Sequence, residues 1–135
     1  MIAIDASASL AWSFRDQQTP ALLKLADRVV EQGAIAPQLW PIEVAHVVIR
    51  AKRRSQISGQ EQDAILAKLS SLDVVIDNQT ASQIWQATIM LAIKHNLTVY
   101  DATYLELAVR QKLPLATLDS ELIVAARAEG LTVLP

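Results

Sequence analysis

The sequence predicts an α/β fold with one central parallel sheet. Short apolar runs alternate with longer segments of helical spacing, which is the pattern of a parallel sheet covered by helices. Hydrophobic residues make up 52% of the 135 residues and charged residues 19%, so the chain can bury one core. No linker, low-complexity tract or internal repeat divides it. We therefore expect a single domain over residues 1–135.

Six apolar runs are short enough to be strands. The third run consists only of β-branched residues, which favour strands. Pro37 closes the second run, and an aspartate follows the first, fourth and fifth runs. The predicted strands are residues 2–4, 34–36, 74–76, 99–100, 115–117 and 132–134.

Seven segments are predicted to be helices from their apolar spacing and their end signals. Ser7 or Ser9 could cap the first helix, and Gly33 ends the second. Ser58 and Glu61 have the spacing of a capping box for the fourth helix. The helices are predicted to run through residues 10–14, 20–31, 39–54, 59–70, 80–95 and 102–111, with the seventh ending at Gly130.

Composition excludes several classes of chemistry. With no cysteine, the chain can form no disulfide, thiolate nucleophile or zinc–thiolate site. Three glycines leave no room for a P-loop or a dinucleotide fingerprint. The net charge of −2 counts against a generic basic nucleic-acid coat protein. The first residues do not resemble a signal peptide and no run is long enough to span a membrane, so we expect a cytoplasmic protein with no membrane partner.

Asp5, Asp101 and Asp119 each follow a predicted strand and open a helix. In an open parallel sheet the ligand crevice lies outside the carboxyl ends of the strands, so these three carboxylates are expected at one edge. Aspartate is also a preferred N-cap residue, which would explain any one of them alone. Asp77 has the same pattern, and we interpret it as a cap or turn residue.

Glu43 is the fourth acid of interest, in the first turn of a predicted helix that is otherwise apolar. A carboxylate among apolar neighbours is unfavourable unless it is paired, hydrogen-bonded or bound to a cation. An exposed glutamate stabilised by the helix dipole is the alternative, and both interpretations remain open.

Four clustered carboxylates would repel one another, and a divalent cation would relieve that repulsion. Ligands that are all oxygen atoms favour Mg²⁺ or Mn²⁺ over zinc. The usual use of such a site is phosphodiester chemistry, in which the metal neutralises phosphate charge and activates a water molecule.

Four segments lie in the order and at the spacing of a known family. They are residues 4–7, 36–45, 100–108 and 115–119. Together they resemble the PIN-domain family, in particular the VapC type of toxin ribonuclease, and the resemblance extends over residues 2–133. It implies a PIN-like domain with three α/β/α layers and metal-dependent cleavage of single-stranded or looped RNA. It also implies a homodimer and a VapB-type antitoxin that blocks the active-site groove.

The resemblance assigns the family's acidic quartet, the catalytic residues and ligands of Mg²⁺ or Mn²⁺, to Asp5, Glu43, Asp101 and Asp119. Ser7 and Thr117 match positions whose hydroxyls support the acids or the substrate, although both could be ordinary caps. His46 departs from the family, which usually has asparagine there. It could hydrogen-bond Glu43 or contact phosphate, but we favour a partly buried, neutral polar spacer.

A basic cluster ends the helix that carries Glu43, and its members are Arg50, Lys52, Arg53 and Arg54. A solvated helix C-terminus explains these charges adequately. The functional alternative is that the three arginines contact RNA phosphates that flank the scissile one.

Aromatic residues give a weaker indication of which side chains lie in the core and which lie at the site. Trp12, Trp40 and Trp85 lie in helical stretches with apolar neighbours, which predicts packing in the core or at a dimer interface. Tyr104 lies one turn after Asp101, where it could line the site or be buried with a partner for its hydroxyl.

Two other function classes remain open beside the endoribonuclease. A catalytically silent PIN-like domain would only bind RNA or a partner protein, but the presence of all four acids counts against it. A phospho-accepting receiver module is more distant, because Asp5 has no adjacent acid and the last strand lacks the required lysine.

Overall fold

The computed structural model describes residues 1–135, and five strands form one parallel sheet in the order β3-β2-β1-β4-β5. The central strand β1 pairs with β2 on one side and β4 on the other. β1 and β2 are buried along their whole length, so helices cover both faces of the sheet. The predicted three-layer α/β class is confirmed. The strands are β1 (Ile2–Ile4), β2 (Ala34–Pro37), β3 (Val74–Asp77), β4 (Leu115–Ala116) and β5 (Val133–Leu134).

Eight α-helices surround the sheet, and a π-helical turn at Ile84–Thr88 joins the fifth to the sixth. The predicted capping box is confirmed, because the Ser58 and Glu61 side chains each accept a hydrogen bond from the other residue's backbone N–H. No helix combines the length and the apolar character needed to cross a bilayer. The helices are α1 (Ala6–Ser13), α2 (Pro20–Gln32), α3 (Leu39–Arg53), α4 (Gly59–Ser70), α5 (Thr80–Gln83), α6 (Ile89–His95), α7 (Val99–Gln111) and α8 (Ser120–Ala128).

The tryptophans divide between core and surface. Trp12 and Trp40 are buried in the core, and the Trp40 indole donates a 2.9 Å hydrogen bond to Ser9 Oγ. Trp85 lies in the π-helical turn and is 82% exposed, so core packing is wrong for this residue. Packing of Trp85 at a dimer interface stays a prediction.

One predicted strand is wrong. Residues 99–100 begin α7 instead, because the Thr98 side chain caps this helix and accepts a 3.1 Å hydrogen bond from the backbone N–H of Asp101. A run of two residues carries too little periodicity to distinguish a strand from a helix start. Asp101 therefore lies in the first turn of α7 and does not follow a strand.

Candidate active site

The strand order reverses at β1, and the carboxyl ends of β1 and β4 lie side by side there. Asp5 directly follows β1, and Asp119 lies just beyond β4. Such a switch point is where open parallel sheets bind their ligands. Asp101 reaches this edge from α7. Burial raises the pKa of the Asp101 carboxyl, and the charges of Asp119 and Glu43 raise it further, so the predicted acids interact with one another.

Asp5 is the most deeply buried of these acids, at 4% exposed. Its Oδ1 accepts a 2.9 Å hydrogen bond from the backbone N–H of Ala8, so it caps α1 as a simple N-cap aspartate would. Burial raises the pKa of Asp5 to about 6, against the lowering effect of its hydrogen bonds. The charge of Asp101 acts in the same direction as burial. Asp5 is therefore both the N-cap of α1 and a member of the acidic cluster.

Two hydroxyl groups hold the Asp5 carboxylate in place. Ser7 Oγ donates to Oδ1 at 2.8 Å, and Thr117 Oγ1 donates to Oδ2 at 2.6 Å. Thr117 Oγ1 also accepts a 3.1 Å hydrogen bond from the backbone N–H of Asp119. The fully buried Thr117 therefore connects the acid after β1 with the acid after β4.

Glu43 lies in the second turn of α3, because this helix begins at Leu39, and the expected first-turn position is wrong. Its Oε1 accepts a 2.6 Å hydrogen bond from the hydroxyl of Tyr104, which is 2% exposed. Burial raises the pKa of the Tyr104 hydroxyl far above its ordinary value, and the hydrogen bond to Glu43 adds to this effect. The phenol therefore stays protonated and donates.

Asp119 caps α8, where its Oδ1 accepts a 2.8 Å hydrogen bond from the backbone N–H of Leu122. Its other carboxylate oxygen accepts no hydrogen bond from the protein. Glu121, in the first turn of α8, also raises the pKa of Asp101. Sequence reasoning missed Glu121, although its position two residues after Asp119 was a usable signal.

Two other candidates do not join the cluster. His46 is exposed and forms no hydrogen bond with Glu43, so the partly buried spacer is wrong. Asp77 ends the edge strand β3, away from β1 and β4. Its Oδ2 accepts hydrogen bonds from Arg110 Nη2 and Thr80 Oγ1, both at 2.7 Å. Sequence reasoning left Asp77 out of the site but missed its ion pair with Arg110.

The donor set suits a hard divalent cation, although no three acidic or histidine side chains converge closely enough to form a ready-made metal shell. Carboxylate oxygens are the ligands that Mg²⁺ and Mn²⁺ prefer. None of the four acids forms an ion pair, so no basic side chain relieves the repulsion that raises the pKa of Asp101. The free oxygen of Asp119 could bind a metal ion, whereas both oxygens of the buried Asp5 already accept hydrogen bonds.

A groove of about 810 Å³ extends from the acidic cluster along α3. The residues that line this groove include Ser7 and Asp119 as well as Arg50 and Arg54. Arg53 does not line it. The structure thus brings two of the three candidate phosphate-binding arginines to the same groove as Asp119, one of the four acids.

Residues 2–128 match the family model described as PIN domain, in agreement with the parallel sheet and the acidic edge described above. The chain belongs to the PIN domain family. The matched residues include all four acids, from Asp5 to Asp119. The family resemblance predicted from the sequence is therefore confirmed.

Two relatives and one solved structure are similar to this chain. Ribonuclease VapC1 of Mycobacterium tuberculosis is 36% identical over 90 residues, and the match spans 67% of this chain and 65% of that relative. Ribonuclease VapC3 of Pyrobaculum aerophilum is 26% identical over 121 residues, 90% of this chain and 91% of that protein. The crystal structure of PAE2754 from Pyrobaculum aerophilum shares the fold, with a TM-score of 0.70 and 23% identity over 98% of this chain and 82% of that one.

Proposed function

We propose that this PIN domain is a metal-dependent endoribonuclease and the toxin of a VapBC-type toxin–antitoxin pair. The observation that carries the proposal is the position of Asp101, which lies close enough to Asp5, Glu43 and Asp119 to interact with the charge of each, at the sheet edge where β1 and β4 end. Two similar proteins bear the name Ribonuclease VapC, which supports RNA as the substrate. The proposed reaction is hydrolysis of an RNA phosphodiester bond.

The proposed metal ligands and catalytic residues are Asp5, Glu43, Asp101 and Asp119. A bound Mg²⁺ or Mn²⁺ would supply charge neutralisation for the scissile phosphate and a more acidic bound water. Ser7 and Thr117 position the Asp5 carboxylate, and Tyr104 positions Glu43.

Substrate contacts beyond the acids are part of the same proposal. The exposed His46 lies three residues after Glu43 on α3, from where it can reach a phosphate of bound RNA. The groove lined by Arg50 and Arg54 continues from the acids, and both arginines are suited to phosphate. A VapB-type antitoxin would block this groove and thereby exclude RNA.

We also propose that the chain forms a homodimer. Trp85, Met90 and Ile93 on the π-helical turn and α6 are large, apolar and mostly exposed, which supports an interface with a second copy. The cytoplasmic location stays a prediction from the sequence.

The proposal is tested by incubating the protein with labelled single-stranded RNA in Mg²⁺ or Mn²⁺. We expect cleavage that a chelator abolishes. Asp5→Asn and Asp101→Asn should lose more activity than the roughly 10–100-fold typical of removing a group that only orients a metal ligand. The control is Asp27→Asn, an exposed aspartate on α2 that lies outside both the acidic cluster and the groove. Circular dichroism checks that the variants fold, and cleavage by Asp101→Asn at the parent rate would contradict the assignment.

A catalytically silent PIN domain is the second candidate. The absence of three converging carboxylates is the observation that favours it. RNA binding without cleavage in either metal would support this candidate over the ribonuclease.

A further inference from the structure

One stripe of α3 joins the acidic cluster to two arginines. Arg50 and Arg54 follow Glu43 by seven and eleven residues, so both lie within about 20° of it around a helix of 3.6 residues per turn. They are displaced roughly 11 and 17 Å along the helix axis. By the same geometry Arg53 lies about 80° and Lys52 about 180° from Glu43. The four basic residues of this helix end therefore face different surroundings.

The groove follows this stripe. Its lining includes Val47 and Arg50 of α3 and Arg54 at the end of that helix, together with Phe14 and Gln17 just after α1. A strand that leaves the acidic cluster along this groove passes Arg50 first and Arg54 second.

Both arginines lack a partner within the protein. Neither forms an ion pair, whereas Arg110 is bound by both Asp77 and Glu106. Asp16 is the one acid of the groove lining besides Asp119, and it forms no ion pair either. An unpaired guanidinium in a groove is suited to a phosphate, because its planar fork donates two parallel hydrogen bonds.

We propose that Arg50 and Arg54 bind successive phosphates of the RNA strand on one side of the scissile bond, and that Arg53 and Lys52 do not. This inference rests on the proposed ribonuclease function. RNA is favoured over an acidic protein segment because the two cations lie in line with Glu43 on α3 and share the groove with Asp119, two of the acids that would hold the scissile phosphate. The arginines thus set how far the bound strand must extend beyond the cleavage site.

The test compares Arg50→Gln and Arg54→Gln with the matched controls Arg53→Gln and Lys52→Gln, which remove the same charge from other faces of α3. Cleavage of labelled single-stranded RNA is measured at several salt concentrations. We expect the first two variants to raise KM roughly tenfold with kcat nearly unchanged, as for loss of a charge-assisted hydrogen bond. The slope of log affinity against log salt should fall by about 0.7 for each lost contact. The controls should stay within about twofold of the parent protein in KM.

A binding measurement separates this inference from the proposed function. Fluorescence anisotropy of the same RNA is recorded with Arg50→Gln, Arg54→Gln and the two controls in the Asp101→Asn background, where cleavage is removed. If the parent protein cleaves RNA but all four variants behave alike, the groove inference is overturned and the ribonuclease survives. If nothing cleaves but binding still depends on Arg50 and Arg54, the ribonuclease fails and the groove is supported.

Poly-glutamate is the probe for the competing occupant. If Arg50→Gln and Arg54→Gln weaken the binding of poly-glutamate but leave the binding of RNA unchanged, the groove binds an acidic protein segment and the inference is overturned. If poly-glutamate binding is indifferent to both arginines while RNA binding depends on them, the inference is supported.

Discussion

The Tyr104 hydroxyl donates a 2.6 Å hydrogen bond to Glu43 Oε1, and this bond joins α7 to α3 across the acidic cluster. Tyr104 is buried, whereas Glu43 is half-buried with its second oxygen free of protein partners. One oxygen of Glu43 is thereby fixed and the other remains available for a ligand. This arrangement makes Tyr104 a positioning residue for the proposed site.

Tyr104→Phe should lower RNA cleavage without unfolding the protein. The change removes one hydrogen bond to a charged group, so we expect about 1–3 kcal/mol less stability and roughly tenfold lower kcat. Steady-state kinetics and urea denaturation measure the two effects. Tyr100→Phe is the matched control, because Tyr100 is exposed and its hydroxyl contacts no side chain at the site. Equal cleavage by the two variants would contradict the positioning role.

The raised pKa of Asp5 predicts a dependence of stability on pH. The folded protein holds this proton with a pKa of about 6, against the ordinary value of 3.8. The contribution of this bound proton to the free energy of unfolding is fully present below pH 3.8 and is lost as the pH rises through 6. At 1.36 kcal/mol per pKa unit the loss is about 3 kcal/mol.

Denaturation of the metal-free parent protein and Asp5→Asn at pH 4 and pH 7 isolates this effect, because other titrating groups are common to both. Asp5→Asn should gain about 2 kcal/mol relative to the parent between the two pH values, because the unfolded carboxyl is already partly ionised at pH 4. The same difference between the two proteins at both pH values would show that burial does not destabilise the Asp5 charge.

Arg110→Met should destabilise the fold strongly. The guanidinium contacts Glu106 and Asp77 at 2.7 Å each, and both carboxylates are buried. Removing it leaves two buried carboxylates without a counter-charge, for which we expect a loss of about 3 kcal/mol in urea denaturation. Lys94→Met is the control, since Lys94 is 63% exposed in its pair with Glu129 and should change stability by less than about 1 kcal/mol. Similar losses in both variants would refute this account of the buried network.

Trp85→Ser should convert the proposed homodimer to a monomer. The indole is exposed in the single chain and lies on the apolar surface of the π-helical turn and α6. Sedimentation velocity measures the change in mass. Val30→Ser on α2 removes an equally exposed apolar side chain elsewhere and should leave the dimer intact. A parent protein that sediments as a monomer would overturn the dimer itself.

The sequence correctly predicted the parallel sheet and the positions of two acids at its edge. Asp5 and Asp119 follow strands that pair directly, so their positions in the chain were enough to place them at one edge. Asp101 was predicted at the same edge from a strand that does not exist. Its carboxylate nevertheless reaches the cluster because α7 begins there, and the cap by Thr98 could not be distinguished from a strand end in the sequence alone.

Contacts between distant segments were less predictable. Asp77 has the same local pattern as Asp5, but only the strand order shows that β3 lies at the sheet edge, where Asp77 meets Arg110. Likewise, Arg50, Arg53 and Arg54 were all candidates from the sequence, although their helical spacing from Glu43 already sets Arg53 apart from the other two. The groove between α1 and α3 separates two of them from the third, and no pattern within α3 reveals where that groove runs.

Calorimetric titration with Mn²⁺ tests the central claim most directly, because the four acids matter to the proposed chemistry only as a metal site. The parent protein and the control Asp27→Asn should bind Mn²⁺ at millimolar concentration or below, and Asp101→Asn should bind it much more weakly. No binding by the parent protein, or equal binding by Asp101→Asn, would contradict the account.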